Sequence, residues 1–175
     1  MGATAFSAGA GYSNSSYAGS VDYFLKIDKI EGEATDSKHA KEIDVLSWSF
    51  GESNPVQIGT GGLGAGKVNM SDFNFMTRVS KASPLLMKAC ALGEHIKEAT
   101  LTARKAGGGQ QEYYIIKFTD VLISSYQVSA SSEVPTESVS FAYSKVEIEY
   151  KPQKPDGTLD SPVKFGYDLK AVKKL

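Results

Sequence analysis

The chain has 175 residues, a length that suits one domain, and a chain of this size buries roughly 70% of its unfolded surface without needing disulfides or metal. Apolar residues make up 41%, charged residues 22% and aromatics 10%, with 17 glycines, the balance of a globular chain with many turns. A formal net charge of -1 excludes a general field for nucleic acid or an anionic membrane, Cys90 as the one cysteine excludes an intramolecular disulfide, and no segment approaches the ~20 apolar residues of a membrane span.

Met1–Ser20 carries no charge and is rich in Gly, Ala, Ser and Tyr. It has neither the basic start nor the apolar run of a signal peptide. It is expected to be a flexible arm, with an arm anchored on a neighbouring subunit through Phe6, Tyr12 and Tyr17 as the other possibility. One domain is expected over residues 21–175. Tyr23, Leu25 and Ile27 alternate with Phe24, Lys26 and Asp28, which predicts a strand. Gly32–Lys41 is polar and turn-like. Ile43–Phe50 alternates again: Leu46, Trp48 and Phe50 are expected in the core, and Val45, Ser47 and Ser49 on the opposite face.

Gly51–Gly66 holds seven glycines and prolines, Gly51, Pro55, Gly59, Gly61, Gly62, Gly64 and Gly66, and is expected to be a long protruding loop without structure of its own. Val68–Arg78 is expected as a strand with a bulge at Ser71-Asp72, where the apolar phase slips. One helix follows, about Pro84–Leu92. Ser83 is the expected N-cap and Gly93 the stop, with Leu85, Leu86, Ala89 and Leu92 as its apolar stripe. Cys90 lies in this apolar run and is expected to pack. Four more strands are expected: Glu98–Arg104, then Glu112–Val128 after the Gly107-Gly108-Gly109 turn, Ser138–Lys151 with a bulge, and Val163–Leu169 with Val163, Phe165, Tyr167 and Leu169 on one face. Strands at this density with one helix predict a mainly β fold, a compact two-sheet β-barrel or sandwich with one short α-helix.

The motifs that suggest chemistry lack their context. Gly59–Gly64 fits G-x-G-x-x-G and Gly61–Lys67 fits G-x-x-x-x-G-K, yet the following Val68-Asn69-Met70 predicts a strand where phosphate binding needs a helix N-terminus, and Val68 stands where a magnesium-binding Ser/Thr would. His39 and His95 are far apart and are expected as surface or capping residues. No nucleophile elbow or Cys–His pairing is evident. Catalytic, metal-binding and cofactor residues are therefore not assigned.

Several stretches together resemble one family. They are Asp22–Ile27, His39–Gly51 (His-Ala-Lys-Glu-Ile-Asp-Val-Leu-Ser-Trp-Ser-Phe-Gly), Gly64–Asn69, Ala103–Gly108, Val146–Lys154 (Val-Glu-Ile-Glu-Tyr-Lys-Pro-Gln-Lys) and Pro162–Tyr167. In order along the chain from about Asp22 to Lys170, they are similar to the haemolysin-coregulated protein (Hcp) family, the inner-tube subunits of bacterial type VI secretion systems. The resemblance implies a barrel similar to phage tail-tube proteins, a homohexameric ring, and rings stacked into a hollow tube. It implies a contractile sheath, a spike protein and effector proteins as partners, with no nucleic acid and no membrane insertion. It also implies assembly in the bacterial cytoplasm and secretion without a signal peptide. Met1–Ser20 departs from the family, whose members begin almost at the first strand.

Assembly residues follow from the resemblance and the strand parity together. The glycine-rich segment, with Gly51, Pro55, Gly59, Gly61, Gly62, Gly64 and Gly66, is the expected ring-stacking loop. Ser47 and Ser49 are the expected lumen residues, because their parity opposes Trp48. The alternative is a ligand-binding β-sandwich module, which predicts a monomer or dimer with a surface aromatic cluster. An enzyme would predict convergent titratable groups, which the sequence does not offer.

Overall fold

The computed structural model describes residues 21–59, 62–105, 110–131 and 134–175. The N-terminal arm, Gly61 and the Gly107-Gly108-Gly109 turn lie outside them. Among the described residues the order is β1 (Val21–Ile27), β2 (Ile43–Ser49), β3 (Glu52–Ser53), β4 (Val56–Gly59), β5 (Gly62–Ala65), β6 (Asn69–Met70), β7 (Phe73–Arg78), α1 (Ser83–Leu92), β8 (His95–Lys105), β9 (Glu112–Ser129), β10 (Thr136–Ala142), β11 (Lys145–Tyr150), β12 (Val163–Asp168) and β13 (Lys173–Lys174).

Six antiparallel strands, β10-β7-β2-β1-β8-β9, close into a barrel because β9 pairs with both β8 and β10. Closure removes the open edges that a six-stranded sheet would otherwise leave. β9 has 18 residues and serves two partners. Its second half, Leu122–Ser129, pairs with β10, and Tyr114–Thr119 pairs with β11, which carries β12 and β13 beyond the barrel.

The barrel interior is aromatic. Phe73, Phe118 and Phe141 are each 0% exposed and meet with ring centroids 4.9–5.1 Å apart. Each is the inward member of an alternating strand, so the period of two delivers all three to one point.

Several expectations are corrected. A register shift between Val45 and Ser47 makes Leu46 an extra residue of β2. The bulge reverses the phase, so Val45 is buried with Ile43, and Leu46 is 42% exposed. The phase slip at Ser71-Asp72 is no bulge: it is where the chain passes from β6, in a small separate sheet, to β7 in the barrel. The expected single strand over Ser138–Lys151 is interrupted at Tyr143-Ser144 into β10 and β11, which run on in line along β9 with Ala142 opposite Leu122 and Lys145 opposite Thr119, and the expected bulge lies at Ser140-Phe141. Ser83 begins α1 without capping it; its Oγ accepts from the Ser80 N–H at 2.9 Å, upstream of the helix. Leu86 and Ala89 of the expected stripe are buried, whereas Leu85 and Leu92 are 41% and 66% exposed. Gly93 ends the helix as expected, left-handed at φ 61°, and the Glu94 N–H closes back on Ala89 O at 3.0 Å.

The connection from β1 to β2 folds over the outside of the barrel instead of standing in solvent. His39 is buried there, not on the surface. Its ring stacks on Phe24 with centroids 4.4 Å apart, and its Nδ1 lies 3.0 Å from Glu42 Oε2. Arg104 lies over the same Phe24 ring and donates both arms of its guanidinium to Asp36, at 2.8 and 2.5 Å. Gly32 permits the fold-back: a Cβ there would stand 2.2 Å from the Glu42 carbonyl oxygen.

Asp120 marks the point where β9 changes partner. Its backbone is left-handed at φ 56°, a conformation Asp tolerates. Its carboxylate holds His95 of β8 at 3.0 Å and also pairs with Lys170 beyond β12. His95 is thus the first residue of β8 and has an acidic partner.

Two predictions follow from these contacts. Phe73→Ala should cost about 3–5 kcal/mol in urea denaturation, with an unchanged slope. Hydrogen bonds from Arg104 hold the Asp36 carboxyl far below its ordinary value of 3.8, and those from Lys170 and His95 lower Asp120 to about 2. Both folded-state values lie below the unfolded one, so this stabilisation is present above pH ~4 and is lost as pH falls toward 2. The melting temperature of wild type should drop across that window, and Asp36→Asn with Asp120→Asn should flatten the drop.

Candidate assembly surfaces

The closing sector of the barrel, β2-β7-β10-β9, presents three cross-strand rows. The middle row is Trp48, Phe75, Val139 and Tyr126, and it faces the core. The rows on either side face outward. One is Ser49, Asn74, Ser140 and Ser125; the other is Ser47, Met76, Ser138 and Gln127. Seven of these eight side chains are polar, and none is charged. Asn74 ties the sector together by donating to Ser140 Oγ at 2.8 Å. Trp48 fixes which face turns out: it stacks on Phe73 and Tyr114 and meets Tyr23 edge-on, with centroids 5.9–6.1 Å away.

Ser47 and Ser49 are therefore exposed, on the face opposite Trp48. The sequence reading missed their six neighbours. The signal was present in β10, where Ser138 and Ser140 alternate with Val139 and Phe141, but only the register shows that these serines adjoin Ser47 and Ser49.

The glycine-rich segment is not a structureless loop. It is a ribbon in two stages. β3 pairs with β6 at its root, and β4 pairs with β5 further out. The root is clamped at Gly51. The Gly51 N–H donates to Ser71 Oγ at 2.9 Å, Ser71 Oγ donates to Gly51 O at 3.1 Å, and the Ser71 N–H donates to the same oxygen at 2.9 Å. Tyr143 anchors the clamp to the barrel by donating to Ser71 O at 3.1 Å, and burial pushes its phenol up to about 12. Between the stages the Gly66 N–H donates to Pro55 O at 2.9 Å, and a Cβ on Gly66 would stand 2.9 Å from that oxygen and from the proline ring. Gly51 thus sits at the root, Pro55 and Gly66 join the two stages, Gly59 is in β4, and Gly62 and Gly64 are in β5.

The ribbon and the helix occupy opposite ends of the barrel. The ribbon leaves β2 after Ser49 and returns to β7 at Phe73, and α1 leaves the other end of β7 after Arg78. The exposed surface of α1 carries Leu85, Met87 and Leu92. No helix among the described residues is long and apolar enough to cross a membrane.

Gly66→Val should therefore loosen the ribbon and spare the barrel. Limited proteolysis should show faster cleavage within residues 52–70, with the melting temperature of the domain nearly unchanged.

Comparison with known proteins agrees with this architecture. The family profile described as "Type VI secretion system effector, Hcp" matches residues 24–150. Protein hcp1 of Pseudomonas aeruginosa is 45% identical over 155 residues, which cover 86% of this chain and 96% of that protein. A solved structure described as a type six secretion system protein superposes with a TM-score of 0.84 at 34% identity, covering 89% of this chain and 100% of that one. Hcp1 of Salmonella typhimurium gives 0.72 at 36% identity, covering 89% and 99%.

Proposed function

This chain belongs to the Hcp family of type VI secretion system proteins, and from that membership and its surfaces we propose that it is a structural subunit of the inner tube. It assembles into hexameric rings, and the rings stack into a hollow tube. A contractile sheath drives the tube, a spike protein caps it, and effector proteins travel in its lumen. The subunit assembles in the bacterial cytoplasm, is secreted as part of the tube and performs no catalysis.

The observation that carries this reading is the outward sector of Ser47, Ser49, Ser125, Ser138, Ser140, Asn74, Gln127 and Met76. A channel wall that meets varied cargo needs surface that holds water without fixed charge and without a large apolar patch. Small hydroxyl and amide side chains supply it. The placement of ribbon and helix at opposite ends supports stacking, because a head-to-tail contact needs two different, complementary ends.

Negative-stain microscopy with light scattering should show six-fold rings; a strictly monomeric particle at high concentration would refute the reading. Ser49→Trp and Ser140→Trp should leave the melting temperature and the rings intact, since both side chains face away from the core. Effector recovered with intact rings should fall roughly tenfold, the equivalent of about 1.4 kcal/mol. Unchanged recovery would remove these rows from the lumen.

A further inference from the structure

The sheet continues past the barrel with part of one apolar face open. Register places Tyr23, Ala103, Tyr114, Tyr150 and Val163 in one row across β1, β8, β9, β11 and β12. Ile116, Ile148 and Phe165 form the next row on β9, β11 and β12. Trp48 covers the inner half of the first row, edge-on to Tyr23 and stacked on Tyr114. The outer half has no such cover among the described residues. Tyr150, Val163 and Phe165 are 46%, 66% and 47% exposed, against 0% for Ile116. Beside them a cleft of about 430 Å³ separates Phe165, Tyr167 and Val172 from the ribbon root at Glu52, Lys67 and Met70. Glu52 and Lys67 stand exposed at its rim, so the site has an apolar wall and a charged border.

The chain holds a segment suited to this face. Met1–Ser20 leads directly into β1 at Val21, two residues before Tyr23, so it enters at the head of the same row. Four strand spacings separate β1 from β12, about 19 Å at ~4.8 Å each, and a twenty-residue segment can span ~66 Å. The segment has no charged side chain, so it can pass the rim and cover the wall without burying an unpaired ion of its own. Phe6, Tyr12 and Tyr17 give it three aromatic anchors, and a tyrosine buries its ring while its hydroxyl stays at the wet rim. Being tethered, it meets the face at an effective concentration on the order of millimolar.

We propose that Met1–Ser20 folds back within its own chain and lays Phe6, Tyr12 and Tyr17 against Tyr150, Val163 and Phe165, closing the open face of β11 and β12. The segment is then a built-in cover for an apolar patch of the kind that otherwise promotes unspecific association. The inference concerns the single chain and does not rest on the tube reading.

Thiol labelling tests it. In the full chain carrying Cys90→Ala, Val163→Cys puts one thiol on the face. Phe6→Ser, Tyr12→Ser and Tyr17→Ser then disable the cover without touching residues 21–175. A cover closed nine-tenths of the time slows labelling about tenfold, so the three serine substitutions should speed maleimide labelling by about that factor. Met87→Cys, on α1 at the other end of the barrel, should label at one rate with or without them. Circular dichroism melts should show every variant folded. Chymotrypsin, which cuts after Phe and Tyr, gives the reciprocal measurement: Phe165→Glu should speed cleavage within residues 1–20 several-fold.

Equal labelling of the Val163→Cys chain with and without the three serine substitutions, at equal mass by light scattering, would overturn the proposal. So would chymotrypsin cleavage that Phe165→Glu leaves unchanged. Mixing the serine-substituted Val163→Cys chain with excess wild type should leave its fast labelling as it is. Protection restored by mixing would mean that the segment covers a neighbouring copy, and the fold-back would be wrong. None of these outcomes decides whether rings form, so this inference and the tube reading fail separately.

Discussion

Cross-strand register is the constraint on which the rest of this structure depends. Trp48, Phe75, Val139 and Tyr126 form one inward row, and the rows one residue to either side face outward. Because side chains alternate with a period of two, a slip of one residue in β7 or β10 would exchange the serine rows with the aromatic row. Burial of the aromatic row therefore selects the surface as well as the core. The bulge at Leu46 is part of the same device: it lets β2 bury Val45 near one end and turn Trp48 inward near the other.

The inward rows converge on Phe73, Phe118 and Phe141, which come from β7, β9 and β10. These strands are distant in sequence, so the cluster joins the closing strands of the barrel to the long β9. Polar ties then hold what the cluster does not reach. Arg104 and Asp36 fasten the β1–β2 connection to the outer face, Asp120 fastens the point where β9 leaves the barrel, and Ser71 with Tyr143 fastens the ribbon root. The ties at Asp36 and Asp120 use charged groups, whose hydrogen bonds are the stronger kind, and the one at Ser71 uses neutral groups in a closed set of mutual bonds.

The ribbon and the β12 face stand apart from this economy. The barrel pairs its strands on both sides, yet among the described residues β4 and β5 pair only with each other and β12 has no partner beyond its short pairing with β13. Exposed edges of this kind are usually blunted by charge or proline. Residues 56–65 have neither, and the core-side face of β12 carries Val163 and Phe165. Surfaces left unprotected in this way call for cover from outside the barrel itself.

Periodicity by itself determined the strand-rich class, the helix and its stop at Gly93, and the outward parity of Ser47 and Ser49, because these depend on neighbours within a few residues. The quoted stretches also carried the family. Tertiary structure alone decided what depends on distant partners. Asn74 and Ser140 join the serine face through register across strands. His39 is buried because Phe24 and Glu42 receive it, although its own surroundings in sequence are polar. Leu85 and Phe165 are exposed, although apolar, because no element among the described residues lies over them. The glycine-rich segment pairs as a ribbon because Gly51 and Ser71 meet at its root, twenty residues apart. Local pattern reports which side chains would prefer burial; only the closed barrel, with its limited interior, decides which of them obtain it.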